Sequence, residues 1–138
     1  MTEPLEVLAS WVAVLESPDL DFGRWVTSEP DADGVIQMPW YDYSPEARRF
    51  CMEVASAGWV RDFDWMAWSA TPRARLLIGD PTAVQTADAE DLSRLLTTII
   101  RGDRFREGAI ADSFESGLLT AIAKRAQALC KPRPSRLT

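Results

Sequence analysis

The stretch RGDRFREGAIADSFESG, residues 101–117, places seven charged side chains in seventeen positions directly after the apolar run LLTTII. Asp103 and Glu107 stand four residues apart, a spacing that puts two carboxylates on one helix face, where they could serve as general acid and base or join Asp112 or Glu115 at a metal. Arg101 and Arg104 offer guanidinium forks suited to a carboxylate or phosphate, with Asp103 or Glu107 as the accompanying base. The same atoms also support a purely structural reading. In it Arg101, Arg104 and Arg106 neutralise Asp103, Glu107 and Glu115, while Gly108 and Gly117 allow tight turns between helices. Spacing leaves three readings open: a salt-bridge network, a ligand or partner surface, and a catalytic carboxylate pair.

The rest of the chain narrows the chemistry. There is no histidine. That removes the usual base near neutral pH, the Ser-His-Asp and Cys-His arrangements and the common zinc ligand sets. No GxxxxGK[ST] or GxGxxG phosphate loop occurs. The segment EPDADG resembles a calcium loop, but with Gly34 at its sixth position the twelfth is Trp40 where a bidentate Glu is needed, so Asp31, Asp33 and Gly34 read as a turn. Cys51 and Cys130 lie far apart in apolar surroundings and read as buried thiols. No metal, cofactor or catalytic residue is assigned. Trp25, Trp40, Trp59, Trp65 and Trp68 include possible stacking platforms, yet their acidic neighbours (FDW, WYDY) favour core packing.

These side chains must be positioned by one domain of ordinary soluble composition, with 138 residues, 46% hydrophobic and 26% charged. The expected organisation is a globular unit over 1–131 and a flexible basic tail over 132–138. PLEVLASWVAVLES predicts a first helix burying Leu5, Leu8, Val12 and Leu15. Two short β-prone runs around Asp33-Gly34 predict a small hairpin, its strands kept short by Pro30 and Pro39. Ser44, Pro45 and Gly58 bracket a second helix with Ala47, Phe50, Cys51, Val54 and Ala55 on its inner face. Residues 59–81 read as helical but broken, with Asp64 as a cap and an interruption or restart at Pro72. DAEDLSRLLTTII predicts a helix with Leu92, Leu95, Leu96 and Ile99 inward. Extended at 100° per residue it puts Asp103 within about 30° of that stripe and Arg101 nearly opposite, so either the helix stops at Gly102 or a carboxylate faces the core. GLLTAIAKRAQALC predicts a last helix burying Leu118, Leu119, Ile122, Ala126 and Leu129. The fold class is α+β, mostly helical, with about five helices around a small β-hairpin.

Charge is spread unevenly. Residues 1–47 hold ten acids against one base, Arg24, while residues 48–138 hold eleven acids against fourteen bases. An acidic first third argues against direct nucleic-acid binding and fits docking onto a basic protein surface, including one that normally holds nucleic acid; the same charge would also serve as a solubilising face. No run approaches the roughly 18 to 20 apolar residues of a membrane span, and the N-terminus is acidic where a signal peptide is basic, so a cytoplasmic location is expected.

Three blocks, DFGRWV (21–26), IQMPWYDYS (36–44) and residues 101–126, together resemble a bacterial family classed only as a domain of unknown function. Its pattern runs F-G-x-W-V, I-x-M-P, R-x-[DE]-R-F-x-[DE]-G and E-S-G before a final amphipathic helix. The resemblance places recurring positions on Phe22, Gly23, Trp25, Met38, Pro39, Arg101, Arg104, Phe105, Gly108, Glu115 and Gly117. It implies an association with mobile genetic elements and no particular reaction. Where many relatives have Cys after the Arg-Phe pair this chain has Arg106, so no catalytic thiol is expected there. The sequence therefore points to a non-enzymatic protein-interaction module, with a role as an acidic inhibitor in defence or counter-defence as its extension. The candidate binding residues are Arg101, Asp103, Arg104, Phe105, Glu107, Glu115, Trp25 and Trp40. A homo-oligomer through the last helix stays open, and so does an anionic-ligand domain or carboxylate enzyme.

Overall fold

The computed structural model describes residues 4–27, 29–35 and 38–130. Helices α1 (Pro4–Ala9) and α2 (Val12–Glu16) occupy the first amphipathic segment, which was expected as one helix. It turns at Ser10-Trp11. The Ser10 hydroxyl bonds back to the Val7 carbonyl at 2.6 Å, a contact that bends helices, and the Trp11 indole is drawn inward, edge-on to Phe50 at 5.3 Å and donating to Glu53 at 3.2 Å. Leu8, Val12 and Leu15 are buried as their spacing requires.

Strands β1 (Gly23–Val26) and β2 (Trp40–Tyr43) pair antiparallel, with Gly23 opposite Tyr43 and Trp25 opposite Tyr41. The hairpin is present, but thirteen residues separate its strands and Asp33-Gly34 does not join them. The Asp31 carboxylate accepts from the amides of Asp33 and Val35, and Gly34 closes this local turn at φ +78°. Asp31 thus folds the DG sequence into a turn of its own inside the loop.

Helix α3 (Pro45–Ser56) starts where Ser44 accepts the Ala47 amide at 3.1 Å and buries Ala47, Phe50 and Val54, while Cys51 is half-buried and Ala55 exposed. The broken segment resolves into α4 (Trp65–Ser69), capped by Asp64, and α5 (Pro72–Gly79), capped by Thr71 with Pro72 in its first turn, then a 3-10 turn (Pro81–Thr86). Helix α6 (Ala89–Gly102) opens with a reciprocal capping box between Asp88 and Asp91 and buries Leu92, Leu95, Leu96 and Ile99. Its buried Ser93 and Thr97 donate to the Trp59 carbonyl, so their hydroxyls are satisfied inside the core. Helices α7 (Ala109–Glu115) and α8 (Leu118–Cys130) follow.

The protein is mostly helical α+β, with eight α-helices and one hairpin among the described residues. The five expected helices became eight because two segments break and α7 forms inside the charged motif. The last helix is the axis of the packing. Its buried Leu118, Leu119, Ile122, Ala123 and Ala126 face α1, α2, α6, α7 and the 3-10 turn around one continuous apolar cluster. Trp11 and Trp59 belong to that cluster, whereas Trp25 and Trp40 do not. They remain 48% and 47% exposed on the hairpin, a correction to the core role expected of them. A two-stranded sheet has room to bury only one face, and Trp40 lies opposite Val26 on the other. No helix among the described residues is long and apolar enough to cross a membrane. The expected basic tail lies outside the described residues.

Candidate functional site

The hairpin brings residues distant in sequence against the charged motif. On its inner face Trp25 meets Tyr41 edge-on at 5.5 Å and Tyr41 tilts against Tyr43 at 4.5 Å. Phe22, just before β1, is edge-on to Tyr43 at 5.9 Å and stacks parallel on Phe114 of α7 at 4.4 Å. Such aromatic pairs are each worth about 0.5–1.5 kcal/mol beyond the area they bury. Gly23 permits this crowding. At φ +141° a Cβ there would stand 2.4 Å from the Asp42 carbonyl oxygen and 2.6 Å from the Tyr41 ring.

Helix α6 ends at Gly102 and the Asp103 carboxylate still turns inward, so both outcomes posed by the helical geometry occur together. Its destination is the start of α7. The residue capping that helix is Gly108, at φ +84°, which has no side chain to offer the first amides. Asp103 Oδ2 accepts the Ile110 amide at 3.0 Å and Tyr43 Oη accepts the Ala111 amide at 3.1 Å, while the Tyr43 hydroxyl donates in turn to Asp103 Oδ2. The cap that Gly108 lacks is thus supplied from five residues upstream and from β2. Gly108 itself lies under Trp25, where a Cβ would come within 2.6 Å of the indole ring. Glu107 Oε2 completes the junction by accepting the Tyr41 backbone amide at 3.0 Å.

Electrostatics follow from this packing. Burial, and then its bond to the Asp103 carboxylate, pushes the Tyr43 hydroxyl well above the ordinary tyrosine range, against the smaller opposite pull of the Ala111 amide. Tyr41 is raised by burial, then by the charges of Glu115 and Asp21. Burial, with a smaller part from Asp103, pushes the Cys51 thiol up to about 11. It stays protonated near neutral pH and is a poor nucleophile.

The side chains singled out in the motif therefore divide. Asp103 and Glu107 bind the hairpin and α7, each to a different group, and the arginines do not neutralise them. Arg106 pairs instead with Asp112 at 2.6 Å, and Glu115 is exposed near the end of α7. Arg101 and Arg104 are exposed and make no side-chain hydrogen bond or ion pair with a described residue. Phe105 is 72% exposed, its ring 6.0 Å from that of Trp65. A cavity of about 280 Å³ beside the motif is lined by residues including Trp65, Ile78, Ile99, Phe105 and Arg106, and by none of Arg101, Asp103, Arg104 or Glu107. Among the described residues no three Asp, Glu or Cys side chains gather as a metal site requires. Sequence reasoning passed over Tyr41 and Tyr43. Their alternation in WYDY, which points two phenols to one face of a strand, was the available signal.

The sequence model of DUF6508, described as a family of unknown function, matches residues 1–131. The chain belongs to this family. No curated protein and no solved structure matches it. In this DUF6508 chain residues 22–26, 40–44 and 101–117 meet in one place, although some sixty residues separate the second segment from the third.

Proposed function

We propose that this DUF6508 chain is a cytoplasmic, non-enzymatic protein-interaction module whose docking face is the turn that displays Arg101, Arg104 and Phe105, with Trp25 and Trp40 of the hairpin as further contacts. One observation carries the reading: Asp103 and Glu107 are spent on holding the hairpin to α7, while the Arg101 and Arg104 guanidinium groups have no ion-pair partner among the described residues and the Phe105 ring, beside Trp65, is largely open to solvent. Arginine and large aromatic side chains are the types that most often dominate binding energy at protein interfaces. The acidic first third supplies the opposite sign, so the partner fitting both carries a basic surface beside an acidic one. If that basic surface is a nucleic-acid-binding one, the module acts as its inhibitor by occupying it, and a bacterial defence or counter-defence role on a mobile element is the setting the family resemblance implies.

The test is affinity capture from nuclease-treated bacterial lysate with the parent chain and an Arg101→Glu/Arg104→Glu variant. A partner captured by the parent at moderate salt and lost by a variant of unchanged melting temperature supports the reading. Capture unaffected by the double reversal, or no specific capture by the parent, overturns it.

A further inference from the structure

A groove of about 670 Å³ runs between the 3-10 turn and α8, touching the charged motif only at its last residue, Gly117. Its volume falls within the roughly 300–1,000 Å³ usual for small-molecule sites. Ala121 and Ala128 give it an apolar stretch, Thr82, Gln85 and Thr120 line it with polar groups, and its charged lining residues are Lys124 and Arg125, with no acid among them. On a chain of net charge −6 a groove whose charged lining residues are all cations is a local reversal.

The two cations are not equivalent. Lys124 meets Glu16 at 2.8 Å, which offsets its charge. Arg125 donates from Nε to the Ala87 carbonyl at 2.7 Å and makes no ion pair with a described residue. That bond fixes the guanidinium plane and leaves the Nη1 and Nη2 ends, the pair whose parallel N–H groups match the two oxygens of a carboxylate. One positioned, uncompensated positive charge beside an apolar stretch selects a monoanion with an apolar body over a compact dianion.

We propose that this groove binds a small organic monocarboxylate, its head on Arg125 Nη1 and Nη2 and its hydrocarbon body along Ala121 and Ala128. The site is separate from the docking face around Arg101 and stands or falls independently of it.

The experiment titrates the full ¹⁵N-labelled chain with octanoate, acetate and 1-octanol and follows backbone amide shifts. Octanoate is expected to shift Thr120, Ala121 and Ala128 saturably, with affinity at least about tenfold above octanol, since a hydrogen bond to a charged group is worth about that much, and at least about tenfold above acetate, which lacks the hydrocarbon body that the groove would bury. Arg125→Gln, whose amide still reaches the Ala87 carbonyl, should weaken octanoate by about tenfold or more. Thr120→Tyr, which fills the groove and leaves both cations in place, should abolish the shifts. Octanoate binding no better than octanol or acetate, shifts centred elsewhere, or Thr120→Tyr binding like the parent would each overturn the proposal. Should Arg125→Gln not fold, Thr120→Tyr decides alone.

Discussion

Asp103→Ala removes the acceptor of two hydrogen bonds at once, those from the Tyr43 hydroxyl and the Ile110 amide. Bonds to a charged acceptor contribute about 1.5–3 kcal/mol each, and loss of a helix cap costs about 0.5–2 kcal/mol. Tyr43 and Asp103 are half-buried, so water recovers part of the loss, and a net cost of about 3 kcal/mol follows. For a chain of this size that lowers Tm by about 10 °C. Asp103→Asn keeps one acceptor oxygen and should lose roughly half as much. Tyr43→Phe leaves the Ala111 amide without its acceptor and should cost about 1–2 kcal/mol. Because Tyr43 and Asp103 cap one helix together, the double variant should cost less than the two singles summed, by at least about 1 kcal/mol. Urea unfolding followed by circular dichroism measures all four quantities. If Asp103→Ala costs no more than an exposed arginine removed from the same turn, or if the cycle is additive, the capping argument is wrong.

Gly108→Ala places a methyl group 2.6 Å from the Trp25 ring at a left-handed backbone position, and should cost about 2–3 kcal/mol; Trp25→Ala in the same chain should recover the steric part, leaving the backbone part. Arg101→Ala and Arg104→Ala should each change unfolding free energy by less than about 0.5 kcal/mol, since neither side chain has a partner to lose; a loss of several kcal/mol would return these arginines to a structural network. Alkaline pH should destabilise the fold in two stages. The Cys51 thiol, raised from 9.0 to about 11, ionises first in the unfolded chain, so its stabilisation is complete below pH 9 and falls by about 2 kcal/mol as pH approaches 11. Tyr43, raised above its ordinary 10.0, adds a second loss beginning near pH 10. In urea titrations across that range Cys51→Ala should flatten the first stage and Tyr43→Phe the second; a parent whose stability is level from pH 8 to 11 would contradict both.

Local signals in the sequence carried most of the helical framework. Ser44-Pro45, Asp64 and Asp88 cap the helices they precede, and Leu92, Leu95, Leu96 and Ile99 are buried together, because capping and 3.6-residue periodicity act over a few neighbouring positions. What depended on distant partners was harder to read. The hairpin was legible, its register and thirteen-residue loop were not, since register is fixed by Tyr41 and Tyr43 packing against residues some sixty positions later. The split of the first helix follows from Trp11 reaching Glu53 and Phe50. In the motif the spacing of Asp103 and Glu107 suggested a shared helix face, but the helix ends at Gly102, ahead of both, and each carboxylate leaves for a different strand group. The angular projection for Asp103 and Arg101 holds because Asp103, the residue just past the helix end, keeps right-handed helical dihedrals at φ −59° and ψ −29°.

The hairpin and α7 are each too small to persist alone. Two four-residue strands make a marginal sheet, and a seven-residue helix capped by glycine lies below the length at which helices hold without tertiary support. Each supplies what the other lacks: β2 brings the Tyr43 hydroxyl to the uncapped amides, α7 brings Phe114 under Phe22, and the linking turn sends Glu107 to the Tyr41 amide. Arg104 and Phe105 sit between the fixed points Asp103 and Glu107, so their presentation depends on that mutual support. A substitution inside the junction that leaves the chain folded, such as Tyr43→Phe, should therefore weaken any contact made through Arg104 and Phe105, although Tyr43 lies on the other side of the turn. A partner affinity reduced by Tyr43→Phe at a temperature where the variant is fully folded would show that the carboxylates act in binding by holding the arginines in place, and equal affinity would show that the turn keeps its shape without the hairpin.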